Sequence, residues 1–169
     1  MSELHVQGLA ELHKVLQELP AKIEANILRG ALRAGSNVFK EAARDQVPVA
    51  PPNDKNARLY NGRMGLLRDS IRVSVRFRKG RMQASIKAGS KDAYYASWVE
   101  FGTAAHRIKP KNRRALWLAG KSWELINHPG ARPKPFMRRT FDGKNRAALD
   151  AFADYIRIRL PKEIAKAHR

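Results

Sequence analysis

An α+β fold with an antiparallel sheet is what this sequence predicts, and three observations carry the prediction. Apolar residues recur at helical spacing through the first 46 positions, alternate with polar ones at a period of two from Ile71 to Ala88, and return to helical spacing after Pro135. Helices first, several strands next and a long helix last is the order of an α+β domain, not of alternating strand–helix units.

Each element has its own justification. Leu9, Leu12, Leu16 and Leu19 share one face of a first amphipathic helix. Pro20 suits the first position of a second helix, whose apolar face runs through Ile23, Ile27, Ala31, Ala34, Val38 and Ala42 to about Gln46. Val47 precedes Pro48, and a residue before proline is pushed out of helical geometry, so the helix ends there. From 48 to 65 the composition turns to Pro, Asn and Gly with scattered basic residues, which predicts a long flexible loop held by Leu59 and Tyr60.

Ile71, Val73, Val75 and Phe77 then alternate with Arg72, Ser74, Arg76 and Arg78, and Met82, Ala84, Ile86 and Ala88 alternate with Arg81, Gln83, Ser85 and Lys87. A hairpin spanning about 70–89 and turning at Lys79-Gly80 pairs Phe77 with Met82, Val75 with Ala84, Val73 with Ile86 and Ile71 with Ala88, so every apolar side chain takes one face. The other face sets Arg78 against Arg81 and Arg72 against Lys87. Like charges directly across a ladder are destabilising, which marks Arg72, Arg76, Arg78, Arg81 and Lys87 as a basic contact face for something anionic.

Tyr94 to Phe101 reads as a short helix ended by Gly102, because Tyr94 or Tyr95, Trp98 and Phe101 recur at helical spacing. Short strands are predicted at 107–109, 115–118 and 121–126, a turn at Pro129-Gly130, and a final helix opening at Pro135 with Leu149, Phe152 and Ile156 on one face, interrupted near Asp142-Gly143 and Pro161.

At 169 residues the chain is the size of one domain with a sizeable core, so a single domain over 1–169 is the expectation. It holds no cysteine, which excludes disulfides, thiolate metal sites and a cysteine nucleophile. No apolar run is long enough to span a bilayer, and Met1-Ser2-Glu3-Leu4-His5 lacks the pattern of a secretory signal, which predicts a soluble protein made in a cytoplasm with no membrane partner. Thirty-four Lys and Arg against 15 Asp and Glu leave 34 − 15 = +19, a field that favours an anionic partner.

Candidate chemistry is sparse. The aromatic run from Tyr94 to Phe101 reads as core more readily than as a stacking site, since large aromatics bury well. Glu100 is the one acid in a basic neighbourhood, and its alternatives are an ion pair to a local Arg or Lys or a contact to another subunit. His128 lacks a neighbouring nucleophile or carboxylate, so a ring bonded to a turn carbonyl accounts for it better than general-base work. No metal-ligand spacing, nucleophile elbow, phosphate loop or paired acidic cluster is present, so no cofactor or metal is expected and an enzyme is the least supported class. Between Phe101 and Arg146 only Glu124 and Asp142 oppose twelve Lys and Arg, an imbalance that steers an anionic partner from a distance.

Four segments in order carry a resemblance. Gly65-Leu66-Leu67-Arg68-Asp69-Ser70-Ile71, Tyr95-Ala96-Ser97-Trp98-Val99-Glu100-Phe101-Gly102-Thr103, Ile108-Lys109-Pro110-Lys111, and His128-Pro129-Gly130 leading to Pro135-Phe136-Met137-Arg138 resemble the head–tail joining family of tailed bacteriophages. These are neck, tail-completion or minor tail components, the group that includes lambda's tail-completion protein Z. The resemblance spans nearly the whole chain. It departs from the family in a longer, proline-rich 48–63 loop and in Thr140-Phe141, where the family has proline–alanine.

The resemblance implies a non-enzymatic structural virion protein, a head–tail connector at the neck of a phage or prophage, made in the host cytoplasm during assembly. It implies a homo-oligomeric ring, six copies favoured, between a head-closure or adaptor ring and the tail terminator or tail tube, with DNA contact in a central channel as a further expectation. Assembly roles then fall on Tyr95, Val99, Glu100, Phe101, Gly102 and Thr103 and on His128, Pro129, Gly130, Pro135 and Phe136. The alternative from another class is a stand-alone basic nucleic-acid-binding module, which requires tight, salt-dependent DNA binding by the isolated monomer. Much of the charge is read as meeting acidic protein, because a strongly adhesive channel lining would slow passing DNA.

Overall fold

A computed structural model describes residues 21–49, 64–79, 81–111, 114–118 and 120–167. The first predicted helix and most of the 48–65 loop lie outside the described residues. The described elements run helix α1 (Ala21–Gln46), a single turn α2 (Leu66–Asp69), strands β1 (Arg72–Arg78) and β2 (Arg81–Lys87), helix α3 (Ala96–Phe101), strands β3 (His106–Ile108), β4 (Leu116–Leu118), β5 (Lys121–Trp123) and β6 (Ile126–His128), and helix α4 (Phe136–Ala167). The class is α+β, as the change of period predicts. The strands form three separate two-stranded antiparallel ladders, β1–β2, β3–β6 and β4–β5, where one central sheet was expected. Strands of three residues in the second half, separated by Pro110, Gly120 and Pro129, are too short to extend the long hairpin's ladder.

The chain divides into two compact units. The first takes in the described parts of Met1–Ala42, Arg72–Lys87 and Phe141–Arg169. Its core is Ile27 and Ala31 of α1 against Ile156 of α4, all at most 4% exposed, with Ile23, Leu28, Phe152, Tyr155 and Leu160 packed around them. Of these, Ile23, Ile27, Ala31, Phe152 and Ile156 are residues that the 3.6 period placed on the inner faces. Two glycines let the helices approach: a β-carbon on Gly30 would strike the Tyr155 ring, and one on Gly35 would lie 2.7 Å from the Ala148 carbonyl oxygen. Phe39 and Phe141 stack nearly parallel, ring centres 5.5 Å apart.

Helix α4 runs unbroken through Gly143 and Pro161, against the predicted interruptions. Gly143 faces open space, so it weakens the helix by about 1 kcal/mol relative to alanine without breaking it. Across Pro161, Leu160 packs on the core and Arg159 pairs with Glu163 at 2.9 Å, one turn on, so contacts on both sides hold the proline turn in register. The β1–β2 register is the predicted one from Arg72↔Lys87 to Arg78↔Arg81, and Lys79 at the turn adopts φ 51°, the left-handed geometry a tight hairpin demands.

The second unit comprises Ala43–Ile71 and Ala88–Thr140. Val47 still donates to the Ala43 carbonyl before Pro48 ends α1. Leu67 and Ile71 are buried, as are Ala93, Ala96 and Phe136. The expected Ile71–Ala88 pair does not form. The Gly89 N–H is spent instead on the Ser70 hydroxyl at 2.8 Å, and that hydroxyl donates to the Leu67 carbonyl at 2.7 Å.

Candidate functional site

The two motifs separated by some thirty residues meet in the second unit as one clasp. Ala96 and Glu100 of helix α3 are buried, as is Ala93 in the turn before it, and these small residues let Glu100 reach the start of α4. There the Met137 N–H donates to Glu100 Oε2 at 2.9 Å and the Arg138 N–H to Oε1 at 3.0 Å. These are the second and third helical residues, whose N–H groups have no partner within the helix. The residue before the helix is Pro135, which has no side-chain acceptor, so a carboxylate from α3 does the work of an N-cap and sits where the helix dipole favours negative charge. Among the described residues Glu100 makes no ion pair to a local Arg or Lys, the first of the two roles expected of it.

Main-chain bonds complete the clasp. The Lys134 N–H donates to the Val99 carbonyl at 2.8 Å, and Thr103 and Ala131 exchange both their bonds at 3.0 and 3.1 Å. Gly102 lies between these contacts at φ 73° and ψ −175°, a conformation essentially reserved for glycine, and a β-carbon there would sit 2.5 Å from the Ala131 carbonyl oxygen. Gly130, at φ 86°, faces the Thr103 carbonyl just as closely. Phe136 is 2% exposed, and Thr140 donates its hydroxyl to the Phe136 carbonyl at 2.7 Å, closing the first turn of α4.

His128 corrects the sequence reading in direction. Its Nδ1 accepts from the Gly130 N–H at 3.0 Å, where a bond to a turn carbonyl was expected. Across the β3–β6 ladder it opposes His106, with rings 5.0 Å apart. Both carboxylate oxygens of Glu100 and this ring nitrogen accept from backbone N–H groups, so these side chains fix the geometry of the clasp.

The aromatic run is the larger correction. Tyr94, just before α3, is 68% exposed, and Trp98 and Phe101 within it are 53% and 70% exposed, whereas Glu100 is 8% exposed. The packing side of this helix is occupied by alanines and the cap, so the aromatics that were expected in the core turn outward. Tyr94 meets Trp98 edge to face at 5.5 Å.

The predicted basic face lies on the first unit's hairpin, and Arg72, Arg76, Arg78, Arg81 and Lys87 are all exposed. Arg78 stands opposite Arg81 and Arg72 opposite Lys87. Among the described residues no acidic side chain pairs with Arg76, Arg78 or Arg81. The apolar face of the hairpin tip is not covered either: Phe77 is 66% exposed, whereas the alternation predicted it inside. Sequence reasoning missed Glu100 as a cap. The available signal was an acid on a short helix and a later helix opening with Pro135 and no Ser, Thr, Asp or Asn before it.

A family model described as "Bacteriophage HK97-gp10, putative tail-component" matches residues 10–102, 102 − 10 + 1 = 93 of the 169. The match ends on the clasp's Gly102, ahead of the segment from His128 to Phe136. No curated protein and no solved structure matches the chain.

Proposed function

We propose, from the premise that this chain belongs to the HK97-gp10-like family of bacteriophage tail components, that it is a neck or tail-completion protein joining the DNA-filled head to the tail. Its copies form a ring, six favoured, between the head-closure or adaptor ring and the tail terminator or tail tube. The observation that carries this reading is the surface: side chains a lone subunit would bury, among them Phe77, Trp98, Phe101 and Trp117, stand more than half exposed. Large apolar side chains in that number at the surface mark places where other proteins pack. The clasp supports the reading as well, because a covalently remote cap and two glycine-only turns make the second unit a rigid frame for such surfaces.

Deleting the gene from its phage or prophage tests the proposal. Filled heads and separate tails should accumulate, and the purified chain added to such an extract should restore joined particles. Particles that assemble in normal numbers without the protein would refute the neck assignment, and a chain that binds DNA tightly as a monomer yet restores nothing would favour the nucleic-acid module instead.

A further inference from the structure

Between His106 and His128 the chain runs out and back as an antiparallel arm. β3 and β6 form its base, with Ile108 opposite Ile126, and β4 and β5 form its far end, with Leu116 opposite Trp123 and Trp117 opposite Ser122, turning at Gly120 in φ 76°. Seven residues, 109–115, on one side against Glu124 and Leu125 on the other make the break between the two ladders. Directly opposed residues share a face and successive residues alternate, so Trp117 lies on one face of the ribbon and Trp123 on the other. They are 77% and 46% exposed, and all of β5 is exposed with them. A two-stranded ribbon that leaves both tryptophans this open is marginal in water, so among the described residues this end of the arm lacks a full cover.

The two-sided placement and the charge together identify the cover. From His106 to His128 six Lys and Arg face the single Glu124, a balance of 6 − 1 = +5. A second copy carries the same excess, and like charge opposes self-docking. A nucleic-acid strand stacks successive bases on aromatics that share one platform, which tryptophans on opposite faces do not provide. A cleft in another protein covers both faces at once. We propose that this arm is a two-faced plug that enters an apolar cleft, rimmed by Asp and Glu, on a different protein of the particle, with Trp117 and Trp123 packed against its two walls and Arg114 and Lys121 meeting the rim. The inference rests on the assembly role proposed above.

Extracts of the phage lacking this gene, supplied with purified full-length chain, test it. Wild-type protein should restore infectious particles; if it does not, the assembly role itself fails. W117A/W123A should lose at least tenfold in restoration at unchanged circular dichroism and thermal midpoint, W117F/W123F should recover most of it, and R114E/K121E should lose as the alanine pair does. Restoration by W117A/W123A at the wild-type level overturns the plug with the assembly role intact, and restoration by R114E/K121E at that level overturns the acidic rim. If W117A/W123A instead converts an isolated oligomer to monomer in sedimentation, or abolishes quenching of the wild-type tryptophan fluorescence by an oligothymidine, the occupant is a second copy or a nucleic acid and the proposal is wrong.

Discussion

Replacing Glu100 by alanine should unfasten α4 from α3, and the structure sets the size of the effect. The side chain is 8% exposed and accepts two backbone N–H bonds at 2.9 and 3.0 Å. Loss of an N-cap costs about 0.5–2 kcal/mol, and hydrogen bonds to charged groups are worth about 1.5–3 kcal/mol each. The lower scale governs, because Met137 is half-buried and Arg138 exposed, so water can reach both N–H groups once the carboxylate is gone. Adding about 0.3–1 kcal/mol for the helix dipole, Glu100→Ala should lose roughly 1–3 kcal/mol. Glu100→Gln keeps one acceptor but turns an amide NH2 toward the other N–H, so about 1–2 kcal/mol should go. Urea unfolding at unchanged slope measures both, and for a chain of this length 1–3 kcal/mol is a fall in Tm on the order of 2–12 °C. Amide hydrogen exchange gives the local readout: Met137 and Arg138 should exchange faster in both variants. An alanine variant within 0.5 kcal/mol of wild type, or unchanged exchange at those two amides, would refute the cap.

Gly102→Ala should lose about 2–4 kcal/mol in the same unfolding assay, since it adds a β-carbon 2.5 Å from the Ala131 carbonyl oxygen at a backbone conformation costing non-glycine residues about 1–3 kcal/mol; a loss below 1 kcal/mol would show the turn relaxes. Gly35→Ala and Gly143→Ala, both within helices, should differ in sign: the first meets the Ala148 carbonyl at 2.7 Å and should destabilise by about 1–2 kcal/mol, whereas the second enters open space and should stabilise by about 0.5–1 kcal/mol. Equal shifts in Tm would mean the helix crossing is looser than described. Replacing Arg76 and Arg78 by Ser should leave stability unchanged or raise it by a few tenths of a kcal/mol, because the like-charge pair Arg78–Arg81 across the ladder is relieved, while joined particles in complementation fall sharply. Normal particle numbers at ordinary and raised salt would make that face mere solvated surface.

Periodicity made the hairpin legible to the residue. Alternation from Val73 to Ile86 admits one register that keeps the apolar side chains together, and a one-residue slip would turn them all over. The inner faces of α1 and α4 were equally plain, because Ile27, Ala31 and Ile156 lie on stripes with no competing partner. Pattern gave the wrong answer for Tyr94, Trp98 and Phe101. A helical repeat says which residues share a face and nothing about which face is covered; that depended on where Glu100 had to go, which is a contact between residues 37 and 38 positions apart. The motifs of the resemblance marked this region before any geometry did, yet their physical content, a carboxylate capping a distant helix between two glycine-only turns, emerges only when Gly102, Gly130 and Pro135 are brought together. Helix α4 shows the opposite failure, in which local helix breakers are outweighed by tertiary packing and by Arg159–Glu163 across Pro161.

The charge and the exposed aromatics constrain one another. Exposed aromatics such as Tyr94, Trp98 and Phe101 at and before α3, or the two tryptophans of the arm, would draw identical neutral chains together. A net charge of +19 opposes that attraction over roughly the Debye length, about 8 Å at physiological salt, which is enough to keep like surfaces from settling into contact. An acidic partner reverses the sign of the long-range term while leaving the short-range apolar attraction in place, so the same aromatic surface is quiet toward its own kind and adhesive toward the intended neighbour. For the proposed ring of copies, that balance requires the subunit contacts either to use the less charged faces, in which case the ring can close alone, or to form on a template already carrying acidic surface, in which case closure follows docking.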